Sequence, residues 1–349
     1  MDKFLNELLQ TRSPTGTETE AAAVVEKYIK PVADTFERDV LGNRIATLGG
    51  GAKKLMLAGH IDEIGLQVSY IDSDGFVFFQ QLGGHDNVMI SGRGVLILTD
   101  RGAVAGVTGK RAIHLMDAKE RKEVPETHQI WIDIGAANKA EAEKLVSVGD
   151  PIVYQTSLVE MSNGRYASRA FDDKAGAFAI FETLRRLSAE KATLEYKLVS
   201  VGTTQEEIGT RGATTSAYAV DADIAIAVDV THATDFPTCD CRKFGDVKLG
   251  KGVVIARGPN LNPKVSARLI ELAKANNIPY QLEAEARPTG TDARVIQMTR
   301  GGIATGLLSV PLRYMHTPNE VADLADIESC VRLLCAFAKS LKNSDDFTF

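Results

Sequence analysis

Long hydrophobic runs are missing from this 349-residue chain. Nowhere do about 18 apolar residues follow one another, which excludes a bilayer-spanning helix. The start, MDKFLNELLQTRSPTGTE, is amphipathic and broken by polar residues, without the apolar centre and cleavage site expected of a secretory leader. A cytoplasmic location is therefore expected. Cysteine occurs only four times, too few for a disulfide framework. Cys330 and Cys335 sit in an apolar helix-like stretch and read as core, while Cys239 and Cys241 form a C-x-C pair with no second Cys or His pair beside it and read as free thiols. Neither sign of charge dominates. Forty Lys and Arg face 46 Asp and Glu, a net charge of -6 with no like-charged block, which argues against nucleic acid or an anionic membrane as partner. Low-complexity tracts and repeats of solenoid period are also absent.

What is present is ordinary for a globular chain, 44% hydrophobic and 25% charged, at a length that calls for one large domain and a smaller one. After a helical pattern at ETEAAAVVEKYIKPVAD come two strand-like runs, the second being KKLMLAGHIDEIG. The texture then changes. From residue 66 to 163 short β-type runs (LQVSYI, GFVFFQQL, RGVLILT, AVAGVTG, HQIWIDIG, DPIVYQTS) are separated by Gly, Asp and Asn turns, the spacing of a small barrel or sandwich. Beyond it, helix and strand patterns alternate to a long helix over about 326–342. This predicts an α/β fold with a mixed, largely parallel sheet covered by helices, formed by residues 1–65 and 164–349, with a small all-β domain inserted at 66–163.

The titratable residues fall at the predicted strand ends. KKLMLAG runs into His60 and Asp62, EYKLVSVGTTQ into Glu206 and Glu207, DIAIAV into Asp229, and GIATGLLSVPLRYM into His316, while Asp172 and Asp173 precede a helix. Alone, each reads as a cap or a solvated turn residue. Together they fall where open α/β sheets hold ligands, outside the carboxyl ends of the strands. Two histidines and three carboxylates (His60, Asp172, Glu207, Asp229, His316) carry too much negative charge for one Zn²⁺ but suit two divalent ions with one carboxylate bridging, and a water activated between them. Asp62, two residues from His60, shares its face on a strand and can orient its imidazole. Adjacent glutamates at a turning strand end point different ways, so one can ligate while the other accepts a proton from the water.

With these motifs (SPTGTE, GHIDEIG, LGG at 82–84, IDIGA, FDDKAG, QEEIGTRGA, AVDVTHATD, GTDA at 290–293, PLRYMHTP) the chain resembles, over essentially its whole length, the tetrahedral aminopeptidases, a family of binuclear metallopeptidases that includes glutamyl and deblocking aminopeptidases. The resemblance implies a zinc-exopeptidase-like fold and removal of N-terminal residues from peptides. It implies one metal on His60, Asp172 and Asp229, the other on Asp172, Glu207 and His316, with Asp172 bridging, Glu206 as general base and Asp62 orienting the site. The ions are expected to be zinc, with cobalt and manganese compatible with the same ligands. The insert would be a dimerisation domain, with dimers assembling into larger shells such as a dodecamer. Its position between GHID and FDDK separates this family from the aminoacylase and carboxypeptidase group, whose insert comes late.

Three departures stand out: Lys174 where FDDK more usually carries Arg, His85 where LGG is more often followed by an aromatic residue, and the C-x-C pair in the loop after Asp229 in place of a Pro-Gly turn. Alternative chemistries are a di-metal amidase or deacylase and, further off, a glycoside hydrolase, which would need two carboxyls facing each other across a sugar and has no use for two histidines.

Overall fold

The stretch KLMLAGH lacks polar alternation because both its faces are covered. In the computed structural model, which describes residues 1–348, it forms the strand Lys54–His60 inside an eight-stranded sheet. Leu55 and Leu57 enter one hydrophobic layer, and Met56 and Ala58 the other, as a side-chain period of two requires. Its neighbours Lys197–Thr203 and Ile224–His232 are both parallel to it, and Ala304–Leu312 continues in parallel beyond. These four strands therefore present their carboxyl ends at one edge. Arg44–Leu48 and Thr35–Arg38 extend the sheet antiparallel on one side. On the other, Val253–Arg257 runs antiparallel to Ala304–Leu312 and carries Tyr280–Ala284 in parallel as the edge strand.

One face of the sheet is covered by Lys3–Gln10, Thr19–Ile29, Phe171–Ala189, Pro263–Ala275 and Leu324–Ser340, which contribute Phe4, Val25, Phe178, Leu269 and Leu334 to the larger core. The other face is covered more thinly, by Arg211–Val220 and Ala293–Ile296, through the small side chains Ala213, Ala217 and Ala293. Two elements are shorter than the sequence pattern predicts. The helix expected over TDARVIQMTR stops after one turn because the chain reverses through Arg300 and Gly302, both at positive φ. The strand expected over VKLGKGVVIA begins only at Val253, because Gly250 and Gly252 take positive φ and donate their N–H groups to Asp326.

Between His60 and Phe171 the chain builds a closed six-stranded barrel from Gly65–Ile71, Val77–Leu82, Gly94–Thr99, Gly102–Gly109, Trp131–Asp133 and Pro151–Tyr154. Its interior has its own core, including Leu66, Val68, Val77, Phe79, Ile97 and Ile152. The return to the main sheet passes through a small antiparallel sheet in which Val159–Glu160, Arg165–Ser168 and Glu320–Asp323 pair in that order. This sheet joins the segment before Asp172 to the segment after His316. The structure is thus a mixed α/β sheet flanked by helices, with a small antiparallel barrel spliced into it.

Candidate active site

His60 closes its strand, and Asp229 lies level with it: Ala227 pairs with Ala58, and each of the two side chains comes two residues later. Asp172 enters from the start of Phe171–Ala189, which packs so tightly on the strand that a Cβ on Gly59 would lie 3.0 Å from the backbone of Gly176 and Ala177. His316 follows Ala304–Leu312, and Glu206 and Glu207 follow Lys197–Thr203. Five side chains predicted from strand ends (His60, Glu206, Glu207, Asp229 and His316) and Asp172, predicted at a helix start, thereby line one cavity of about 440 Å³.

Asp172 stands at the centre. Its Oδ1 is 3.1 Å from His60 Nε2, and its Oδ2 is 3.2 Å from His316 Nε2. Glu207 Oε2 lies 3.6 Å from the same His316 nitrogen. Burial alone would raise the Asp172 carboxyl, but the hydrogen bonds from His316 and His60 outweigh it and hold it low. The other carboxyls move the opposite way. Burial, then repulsion from Asp172, pushes Glu207 well above the usual range; burial, with Asp229, Asp292 and Glu207 adding against the pull of His60, does the same to Glu206; Asp229 is driven up to about 7 by burial and by Asp172. Among the described residues none of these four carboxylates pairs with a Lys or Arg, and Glu207 Oε1 is buried without a hydrogen-bond partner. An orphaned carboxylate oxygen in a nest of acidic groups and imidazoles fits divalent cations.

Asp62 is buried beneath this set and works mainly on the glutamate loop. Its Oδ1 accepts the Glu206 N–H at 3.1 Å, and its Oδ2 accepts the Glu207 N–H at 3.2 Å and the Thr15 hydroxyl at 2.6 Å. The expected contact with His60 is present but longer, 3.5 Å to Nδ1, and the Asp62 carbonyl oxygen lies 3.2 Å from the same nitrogen. Glu18 supports the loop from the other side by accepting the Gln205 N–H at 3.2 Å.

Several contributors escape strand-end reasoning. Glu320 accepts the main-chain N–H of His316 on Oε1 at 3.0 Å and that of Asp172 on Oε2 at 3.1 Å. Only its place four residues after His316 could have drawn attention to it. Asp173 also lies near His60 and Asp229, but its oxygens accept the N–H groups of His60 and Gly176, so it holds backbone. Asp292, in GTDA, accepts the Thr203 hydroxyl at 2.5 Å beneath the glutamate loop.

The sequence departures find places too. Lys174 is fully buried and donates to Glu63 Oε1 at 2.9 Å and to the Thr11 carbonyl at 2.8 Å. Arg169 supplies a planar donor to the same group, with Nη1 3.1 and 2.9 Å from the two Glu63 oxygens, so a point-charge ammonium suffices at 174. His85 is neutral, burial pushing it down to about 4; its Nε2–H donates to the Gly65 carbonyl at 2.8 Å and its Nδ1 accepts the Tyr154 hydroxyl at 3.1 Å. It thereby fixes the barrel loop whose glycines meet the site: a Cβ on Gly83 would lie 3.1 Å from Glu207 Oε2, and one on Gly84 3.3 Å from His316 Nδ1. Cys239 and Cys241 are free and outside the cavity lining.

Comparison with known proteins places the chain in a family. A family model described as M42 glutamyl aminopeptidase matches residues 42–333. A lysyl aminopeptidase of Pyrococcus furiosus is 38% identical over 324 residues, covering 92% of each chain. A TET aminopeptidase from a marine-sediment thaumarchaeon superposes with a TM-score of 0.94 at 33% identity, covering 98% of this chain and 96% of that one. The Pyrococcus horikoshii TET1 peptidase, which can assemble into a tetrahedron or a large octahedral shell, gives 0.87 at 31% identity over 97% and 99%. The match takes in the sheet, the barrel and the strand ends that carry the acidic cavity. The chain belongs to the M42 glutamyl aminopeptidase family and is a metal-dependent aminopeptidase.

Proposed function

We propose that the enzyme removes N-terminal residues from peptides with two divalent cations held across Asp172, His60 and Asp229 on one side and Glu207 and His316 on the other. The observation that carries this is the division of the Asp172 carboxylate, one oxygen toward each histidine. Mixed imidazole and carboxylate ligands suit zinc, and also cobalt or manganese. Such cations would polarise the scissile carbonyl and make an attacking water more acidic.

The chain's own groups do the rest. Glu206 is bound to Asp62 through its main-chain N–H and leaves its carboxylate toward the cavity, where it takes the proton of the attacking water and returns it to the departing amine. Asp62 and Glu320 hold the backbones that carry Glu206, Glu207, Asp172 and His316, so the site is positioned before substrate arrives.

The barrel serves as the dimerisation module, with a second copy as its partner. Val107, Ile113, Leu115 and Val124 are exposed large apolar side chains on it, and a two-fold contact would cover the same patch on both copies. The four free cysteines favour the cytoplasm, and among the described residues no helix is long and apolar enough to cross a membrane. Metal analysis tests the central reading: an active preparation should hold two divalent ions per chain and lose activity reversibly to a chelator.

A further inference from the structure

The wall of the active-site cavity away from the metal ligands carries two glutamates that the peptidase chemistry does not use. Glu283 and Glu285 are two apart, so they share a face of the edge strand and its continuation, and both line the cavity. They are rigidly placed. Glu283 pairs in register with Ala256, and the Glu285 N–H continues the ladder to the Arg257 carbonyl at 2.8 Å. Thr231 donates its hydroxyl to Glu283 Oε1 at 2.9 Å, and Thr231 lies two residues beyond Asp229 on the same strand. One hydrogen bond thus links the acidic wall to the strand that carries a proposed metal ligand.

Neither glutamate has a cation. Among the described residues no Lys or Arg forms an ion pair with Glu283 or Glu285; Arg294 shares the cavity lining but is exposed and pairs with neither, and His232 has its proton affinity lowered, by burial first. Thr210, which also lines the cavity, is only 4% exposed and its hydroxyl has no partner. A pocket wall with two half-buried carboxylates and a spare hydroxyl is short of a donor-rich, positively charged group. Burial raises both carboxyls, and for Glu283 the neighbouring Glu285 adds to it, as expected where the compensating charge arrives with the ligand.

We propose that Glu283 and Glu285 form the side-chain pocket for the N-terminal residue of the substrate and select a cationic one, lysine or arginine. The inference rests on the aminopeptidase reading of the adjacent site. An ammonium or guanidinium entering the pocket would exchange water for two charge-assisted contacts, whereas a carboxylate would meet like charge in a partly desolvated wall.

The test compares kcat/KM of the metal-loaded enzyme on the p-nitroanilides of lysine, arginine, leucine and glutamate. Lysine and arginine should exceed glutamate by about ten- to a hundredfold, the worth of a hydrogen bond to a charged group. In Glu283→Gln/Glu285→Gln the lysine-to-leucine ratio should fall by a similar factor, mainly through KM. Glu283→Lys should shift preference toward the glutamate substrate. If the double variant does not fold, the single Glu285→Gln change, at the less buried position, should lower the same ratio. A wild-type preference for glutamate, or a lysine-to-leucine ratio that the substitutions leave unmoved, overturns the proposal; the second would mean the carboxylates meet the α-ammonium shared by all substrates. Failure to turn over any of the four would instead overturn the aminopeptidase reading on which it rests.

Discussion

The carboxylate of Asp62 accepts the main-chain N–H of Glu206 at 3.1 Å, so a residue on one strand end sets the position of the proposed base on the next. The same carboxylate takes the N–H of Glu207 on its other oxygen. The roles of the two glutamates should separate on substitution. Glu206→Gln should lower kcat by about 10²- to 10⁴-fold with metal content near wild type. Glu207→Gln should lose or weaken one ion. Equal metal content in both variants would contradict the division, and metal analysis alongside steady-state kinetics decides it.

Glu320 should matter without touching substrate. Each of its oxygens accepts a different backbone N–H, that of His316 or that of Asp172, and an amide can accept on only one side. Glu320→Gln should therefore leave one N–H facing an NH₂ group and weaken metal binding by about ten- to a hundredfold, as loss of an outer partner does elsewhere. Titration of the apo variant with Zn²⁺ measures this. Wild-type affinity in a folded Glu320→Gln variant would show that the two contacts are dispensable.

Metal removal should invert the pH dependence of stability. Asp229, raised to about 7, and Asp292, raised to about 6, both by burial first, keep protons in the folded apo protein that the unfolded chain has already released. His60 is raised as well, burial opposing and Asp172 and Asp62 prevailing, and acts with the same sign at higher pH. The native state binds more protons than the unfolded one, so apo stability should fall as pH rises from about 4 to about 7. With metal bound the ligands must be deprotonated, and stability should rise over the same window. Urea unfolding of chelated and loaded protein at pH 5 and pH 7 gives both slopes.

Dimers, or multiples of two, should dominate in light scattering at micromolar concentration. Placing Asp at Leu115 and Val124, exposed on the barrel, should dissociate them while the α/β domain stays folded. A monomeric wild type with full peptidase activity would remove the assembly reading and leave the catalytic one intact.

Much of this protein was determined locally. Covered strands such as KLMLAGH and IAIAVDV announce themselves as apolar runs, and the parallel crossovers between them force their carboxyl ends to one edge. His60, Glu206, Glu207, Asp229 and His316 were legible as cavity-lining positions for that reason, Asp172 from its place ahead of a helix, and the barrel from short alternating strands that differ in texture from the rest. Tertiary structure alone decided what stands behind and around them. Glu320, Glu18 and Asp173 act through backbone N–H groups whose direction depends on how loops from different elements meet. Lys174 read as a departure until folding brought Arg169 and Glu63 to it. Glu283 sits in an edge strand and Glu285 just beyond it, and only the packing of that segment over the cavity makes them part of its wall. A periodic pattern records which face of an element is buried, because burial repeats along it; a contact between distant elements leaves no such repeat.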